Sequence, residues 1–187
     1  SSSASAKGND YDGAPHLDLS EGGTGRVKTY PTENIRNIVL VGHGGSGKTS
    51  LAEALLFRSG ATTRLGKITE GNTVCDFDEE EIRKGISIST ALAPIEWEGC
   101  KINVLDAPGY ADFISEMRAA MRVADLAVFV VSAVEGIEVQ TQVAWNYAEE
   151  LGLPRMVFVN KLDRENSSFR RVLEELRETF GKAVAPI

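Results

Sequence analysis

From Asn34 onward the chain alternates short, continuous apolar runs with stretches whose apolar residues recur every three to four positions. IRNIVLV (35–41) has the length of a buried strand, and a helical pattern follows it from Lys48 to about Ser59. SISTALAPIEW (87–97) and KINVLD (101–106), joined by Glu98, Gly99 and Cys100, predict a hairpin. A helix is expected over 111–122, before the strongest strand signal, ADLAVFVVSA (124–133). VQTQVAWNYAEELG (139–152) predicts a helix with Val139, Val143, Ala144, Tyr147 and Leu151 facing inward. PRMVFVN (154–160) is the next strand. A last helix over about 167–180 puts Phe169, Val172, Leu173, Leu176 and Phe180 on one stripe, with Gly181 as its C-cap. Strands alternating with helices predict a three-layer α/β fold with a mostly parallel sheet and one antiparallel hairpin.

Residues 1–33 break this rhythm. They are rich in Ser, Gly and Asp and hold too few apolar groups to offset the entropy of ordering, so a disordered leader is expected before one domain over 34–187. Composition narrows the class further. The 187 residues are 42% hydrophobic and 25% charged with net charge −7, which suits a soluble protein and excludes a nucleic-acid footprint spread over the whole surface; no DNA partner is expected. Cys75 and Cys100 lie outside any zinc spacing, and no apolar run is long enough to span a bilayer. A cytoplasmic, monomeric protein without membrane contact is the expectation.

Candidate chemistry sits at the ends of the apolar runs. GHGGSGKT (42–49) matches GxxxxGK[ST] between a strand and a helix, where backbone N–H groups and the helix N-terminus can cradle phosphates. Lys48 would reach the β- and γ-phosphates, and the Thr49 hydroxyl would ligate Mg²⁺. A Gly-rich turn that binds nothing matches the same letters by chance far less often in this context. NKLD (160–163) closes a later strand at the same sheet edge. Asp163 there can accept the two donors that guanine presents and adenine lacks, with Asn160 bridging to the phosphate loop and the Lys161 stem covering the base. DAPG (106–109) then supplies Asp106 for Mg²⁺ through a water and the Gly109 N–H for the γ-phosphate. The acidic stretch before residue 87 would pass for a solvated loop on its own; beside these motifs, Ser87 is the candidate second hydroxyl for Mg²⁺.

Together GHGGSGKT, RKGISI, DAPGYADF, NKLD and VEGIEVQTQVAW resemble the translational GTPases, most of all elongation factor G, over roughly residues 34–187. The pairing of DAPGY with GLPRMVFVNKLD is similar to the elongation factor G-like paralogues. Ribosome-protection GTPases are a nearer alternative than any P-loop kinase or ATPase. The resemblance implies a three-layer P-loop NTPase, the Ras-like G domain, with its final strand beyond the end of this chain. It also implies binding of GTP or GDP with Mg²⁺, hydrolysis stimulated by the ribosome, and a switch read by further domains. Carried onto this sequence, the nucleotide contacts are Gly42, His43, Gly44, Gly45, Ser46, Gly47, Lys48, Thr49 and Ser50, then Asp106, Ala107, Pro108, Gly109 and Tyr110, then Asn160, Lys161 and Asp163. The metal residues are Thr49, Ser87 and Asp106, and the catalytic ones Lys48, Gly109 and Tyr110.

Four departures stand out. Ser87 occupies a usual Thr position. Gly44 and Gly45 replace an apolar residue and an acid, which leaves Ile86 as the remaining apolar lip. Tyr110 replaces a His thought to position the attacking water, and the chain stops before the last strand of the domain. A phenol stays neutral where an imidazolium could answer an RNA phosphate, so hydrolysis slower by roughly 10²–10⁴ is expected. A GTP-binding switch with little or no hydrolysis is the competing expectation.

Overall fold

The computed structural model describes residues 28–187; residues 1–27 of the expected leader lie outside the described residues. A short 3-10 turn, Thr32–Asn34, leads into β1 (Ile35–Val41), followed by α1 (Lys48–Arg58), α2 (Glu79–Lys84), β2 (Ala91–Trp97) and β3 (Cys100–Asp106). The chain continues through α3 (Ile114–Arg122), β4 (Leu126–Ser132), α4 (Val139–Glu150), β5 (Arg155–Asn160) and α5 (Phe169–Phe180). The five strands form one sheet in the order β2-β3-β1-β4-β5. All neighbours run parallel except β2 and β3, which form the expected hairpin, Ala91 pairing with Asp106 and Trp97 with Cys100.

Alternation along the central strands sorts the core into two faces. Val39 and Val41 of β1 and Ala127 and Phe129 of β4 pack with Met117, Ala120 and Met121 of α3 and with Ala144, Tyr147 and Ala148 of α4. Leu40, Val128 and Val130 point the other way, onto Ala52 and Leu56 of α1. Val131 packs with Val172 and Leu176 of α5, and Trp145 stacks on Phe180 with ring centroids 4.0 Å apart, joining α4 to α5. Fully buried Phe129 alone contributes about 1.5–3 kcal/mol of transfer energy.

The structure corrects the sequence reading at four places. Residues 87–90 are not strand: the Ile88 and Ser89 N–H groups donate to Glu81 Oε1, and Thr90 N–H to Glu116 Oε2, so carboxylates take the donors a ladder would use. The acidic stretch before them is not a plain loop but holds α2, whose N-cap Asp78 and Glu81 form a reciprocal capping box. The buried face of α4 is Thr141, Ala144, Tyr147 and Ala148, whereas Val139 and Leu151 are exposed. Small residues at i, i+3 and i+7 let this helix lie close on the sheet, which turns Val139 and Leu151 outward. In α5 Phe169 is exposed at the first position, just past its N-cap Ser168, while Val172 and Leu176 are buried. Among the described residues no helix is long and apolar enough to cross a membrane.

Candidate functional site

β1, β3 and β5 run in the same direction, so the segments that follow them meet at one edge of the sheet. The register pairs Leu40 with Asp106 and Ser132 with Asn160, which brings 42–49, 106–110 and 160–163 around one cleft. That cleft has a volume of about 320 Å³, within the range of ligand pockets. Gly44, Gly45, Gly47, Lys48, Thr49, Ser50, Ser87, Gly109, Tyr110, Asn160, Lys161 and Asp163 all line it. Gly42, His43, Ser46, Asp106, Ala107 and Pro108 do not. Ala107 is fully buried in the core, its N–H donating to Leu40 O at 3.3 Å.

Local geometry explains why these residues stand where they do. Gly47, with φ of +100°, is the N-cap of α1, a backbone that a side chain would strain, so the loop turns sharply and delivers Lys48 and Thr49 as the first helical residues. Asn160 Nδ2 donates to Ser46 O at 3.0 Å, the bridge to the phosphate loop expected from the sequence. At Gly109 a Cβ would lie 2.7 Å from Gly42 O, so this turn touches the phosphate loop only because the residue has no side chain. Lys161 adopts φ of +59°, and its Nζ lies 3.5 Å from Glu135 Oε2. Asp163 is exposed at the rim, next to Arg164.

Charge is concentrated under the cleft. Lys48 is buried and donates to Gly42 O at 3.1 Å and His43 O at 2.8 Å. Burial pulls its ammonium down to about 8, against the attraction of Asp106 and Asp76. Asp106 is pushed up to about 6 by burial, although its hydrogen bond from Thr49 and nearby Lys48 pull the other way. Burial also lowers His43 and raises Asp76.

Three oxygen donors converge at this point. Thr49 Oγ1 donates to Asp106 Oδ2 at 2.6 Å and lies 3.1 Å from Ser87 Oγ. Asp106 Oδ1 is buried without a hydrogen-bond partner. Two hydroxyls and a carboxylate with spare lone pairs fit Mg²⁺, which prefers hard oxygen donors and takes its remaining ligands from water and phosphate. Among the described residues there is no cluster of three or more His, Cys, Asp or Glu able to hold a metal alone.

Sequence reasoning missed several members of the site. Asp76 lines the cleft, and its Oδ1 accepts from Ser87 Oγ at 2.7 Å. Fully buried Glu53 of α1 accepts from the Val74 N–H at 2.6 Å and the Cys75 N–H at 3.0 Å, tying the loop before α2 to the helix that follows the phosphate loop. Glu81 holds residues 88 and 89 in the same manner. Ile68, Gly85 and Arg164 complete the lining, together with Ile86, which the sequence had already marked as the apolar lip. The Asp78-to-Glu81 capping spacing was the available signal for α2; nothing local marks Glu53, whose partners lie more than twenty residues away.

Comparison with known proteins agrees with this geometry. Residues 33–186 match the family described as elongation factor Tu GTP binding domain. The chain is 42% identical over 174 residues to an elongation factor G-like protein of Mycobacterium tuberculosis, covering 93% of this chain and 24% of that protein. It is 40% identical over 158 residues to elongation factor G of Chlamydia trachomatis, covering 84% and 23%. The mitochondrial ribosome-releasing factor 2 of Debaryomyces hansenii is 41% identical over 151 residues, covering 81% and 18%. A crystal structure of a Thermus thermophilus protein superposes with a TM-score of 0.76 at 48% identity, covering 79% of this chain and 22% of that one. The chain thus spans about a fifth to a quarter of the length of the curated relatives it matches.

Proposed function

The chain belongs to the translational GTPases with an elongation factor Tu-type GTP-binding domain, and on that premise we propose that its cleft binds GTP or GDP with Mg²⁺ and hydrolyses GTP slowly when the ribosome stimulates it. The observation that carries the reading is the meeting of three distant segments at one sheet edge, two of them joined by the hydrogen bond from Asn160 Nδ2 to Ser46 O. Guanine-nucleotide binding and GTP hydrolysis are the family's general activities; the ribosome as partner, the cytoplasm as location and the low rate are our proposals.

Each residue has a task in this reading. The N–H groups of the phosphate loop and the α1 N-terminus hold the phosphate chain, and Lys48 leaves the Gly42 and His43 carbonyls to place its charge on the outer phosphates. Thr49 and Ser87, whose hydroxyls lie together beside the Asp106 carboxylate, would with Asp106 hold Mg²⁺. When bound, the ion neutralises charge developing on the phosphates. The Gly109 N–H senses the γ-phosphate, Asp163 reads guanine at the rim, and the Lys161 stem, held toward Glu135, covers the base. Tyr110 orients the attacking water through its hydroxyl. A second reading, a GTP-driven switch that hydrolyses little, is favoured by the Tyr110 ring lying against Gly44.

The decisive measurement has two stages. Tight binding of mant-GTP with no competition by ATP supports the guanine reading, and equal binding of mant-ATP would sink it. Single-turnover GTP hydrolysis with and without ribosomes then separates the enzyme from the switch: no acceleration by ribosomes leaves the switch.

A further inference from the structure

Three glycines of the phosphate loop, Gly42, Gly45 and Gly47, have positive φ, but Gly44 does not. Its backbone is one that any residue adopts, so conformational freedom does not explain a glycine at this position. Space does. A Cβ on Gly44 would fall 2.6 Å from Tyr110 Cζ and 2.8 Å from each Cε. With Cζ nearest and the two Cε atoms equidistant, that Cβ would point into the face of the ring near its hydroxyl end, not at an edge. Real Cβ contacts essentially never fall below 3.0 Å. The phenol therefore lies flat on the loop in the room that the missing side chain provides. Tyr110 is 42% exposed, and it lines the cleft together with Ile86, which comes from the segment just after α2.

We propose that Gly44 is a positioning residue that seats the Tyr110 ring, and that this ring, together with Ile86, is the lip restraining nucleotide at the phosphate end of the cleft. The proposal rests on the nucleotide-binding reading above. It makes the aromatic face, not the hydroxyl, the part of Tyr110 that holds the lip. It also supplies the apolar surface that the sequence reading treated as lost when an apolar residue at 44 is replaced by glycine. The two positions act as a pair: a side chain at 44 and a flat ring at 110 exclude each other.

The test uses the 187-residue chain with Gly44→Ala, Tyr110→Ala, Tyr110→Phe and the Gly44→Ala/Tyr110→Ala double variant. In the nucleotide-free chain, NMR should show contacts from the Gly44 α-protons to the Tyr110 ring protons. Forcing a methyl into this packed contact displaces the ring, because a packed site has no room for it, and should accelerate mant-GTP dissociation by roughly 10-fold, the low end of an overpacking strain felt at the lip; Tyr110→Ala should do the same. The double variant should release nucleotide no faster than either single one, because the added methyl has nothing left to strike, and Tyr110→Phe, which keeps the ring, should release nucleotide several-fold more slowly than Tyr110→Ala. The proposal is overturned if Gly44→Ala speeds release equally in the Tyr110→Ala background, or if it leaves release unchanged. Tyr110→Phe behaving like Tyr110→Ala would overturn the claim for the ring face. If the parent chain fails to bind mant-GTP, the nucleotide reading and the lip fall together, while the NMR contact still decides the seat.

Discussion

Removing the Glu53 carboxylate should loosen the loop that carries Asp76, without touching any group placed on the nucleotide. Glu53 Oε1 accepts two backbone N–H groups, from Val74 and Cys75, while Oε2 is buried with no partner. The adjacent Asp76 accepts from Ser87, whose hydroxyl lies beside Thr49, so the carboxylate lies two contacts from the candidate metal residues. Hydrogen bonds to a charged acceptor contribute about 1.5–3 kcal/mol each, so Glu53→Ala forfeits roughly 3–6 kcal/mol. Relief from holding a buried charge with one bare oxygen returns part of that, and a net loss of roughly 2–4 kcal/mol remains. For a domain of this size the melting temperature should fall by roughly 5–15 °C. Glu53→Gln keeps the shape and an acceptor at Oε1 but buries an NH₂ without an acceptor where Oε2 stands, so it should cost roughly 1–2 kcal/mol, less than Glu53→Ala. Circular dichroism melts of both variants give the magnitudes, and amide hydrogen exchange at Val74 and Cys75 gives the location. A Glu53→Ala chain that melts within about 2 °C of the parent would refute the clamp, on the same scaling. So would Gln costing as much as Ala.

The other expectations concern the cleft itself. Asp163→Asn should weaken GTP and GDP binding by roughly 100-fold and leave ATP binding unimproved, read by mant-nucleotide titration; undiminished GTP affinity would remove Asp163 from the base contact. Asp106 has a folded pKa of about 6 against an ordinary value of 3.8, so the native chain holds the proton more tightly than the unfolded one. Its stabilising contribution is therefore complete below about pH 4 and disappears as pH rises through about 6, a change of about 3 kcal/mol. In urea titrations of the nucleotide-free chain, the parent should lose that much relative to Asp106→Asn across this window; parallel pH profiles would contradict it. Tyr110→His should raise ribosome-stimulated single-turnover hydrolysis by roughly 10²–10⁴ if proton handling limits the parent, and an unchanged rate rules that out.

Much of this architecture was legible because it is local. Each strand carries its own apolar run, and GHGGSGKT, DAPG and NKLD mark strand ends by themselves. The turn residues Glu98, Gly99 and Cys100 between two strand-like runs predicted the hairpin, in which Ala91, Ala93 and Ile95 face the core while Leu92 and Pro94 face out. Errors fell where a distant group decided the outcome. Ser87, Ile88, Ser89 and Thr90 have strand-like letters, but Asp76, Glu81 and Glu116 capture their hydroxyl or N–H groups and withhold them from the sheet. Val139 and Leu151 fit a helical stripe, yet the face that the fold buries is Thr141, Ala144, Tyr147 and Ala148.

By itself, then, the sequence determined the order of elements, the parallel sheet and the identity of the three motif segments, since periodicity and turn chemistry act over a few residues. Only the tertiary structure decided which side chains meet. It buried Glu53 and Glu81 as backbone clamps, brought Asp76 to Ser87, left Asp106 with an unpartnered oxygen beneath Thr49, and laid the Tyr110 ring on Gly44. Those contacts depend on strand register and on the close approach of segments far apart in the chain, and no local pattern encodes either.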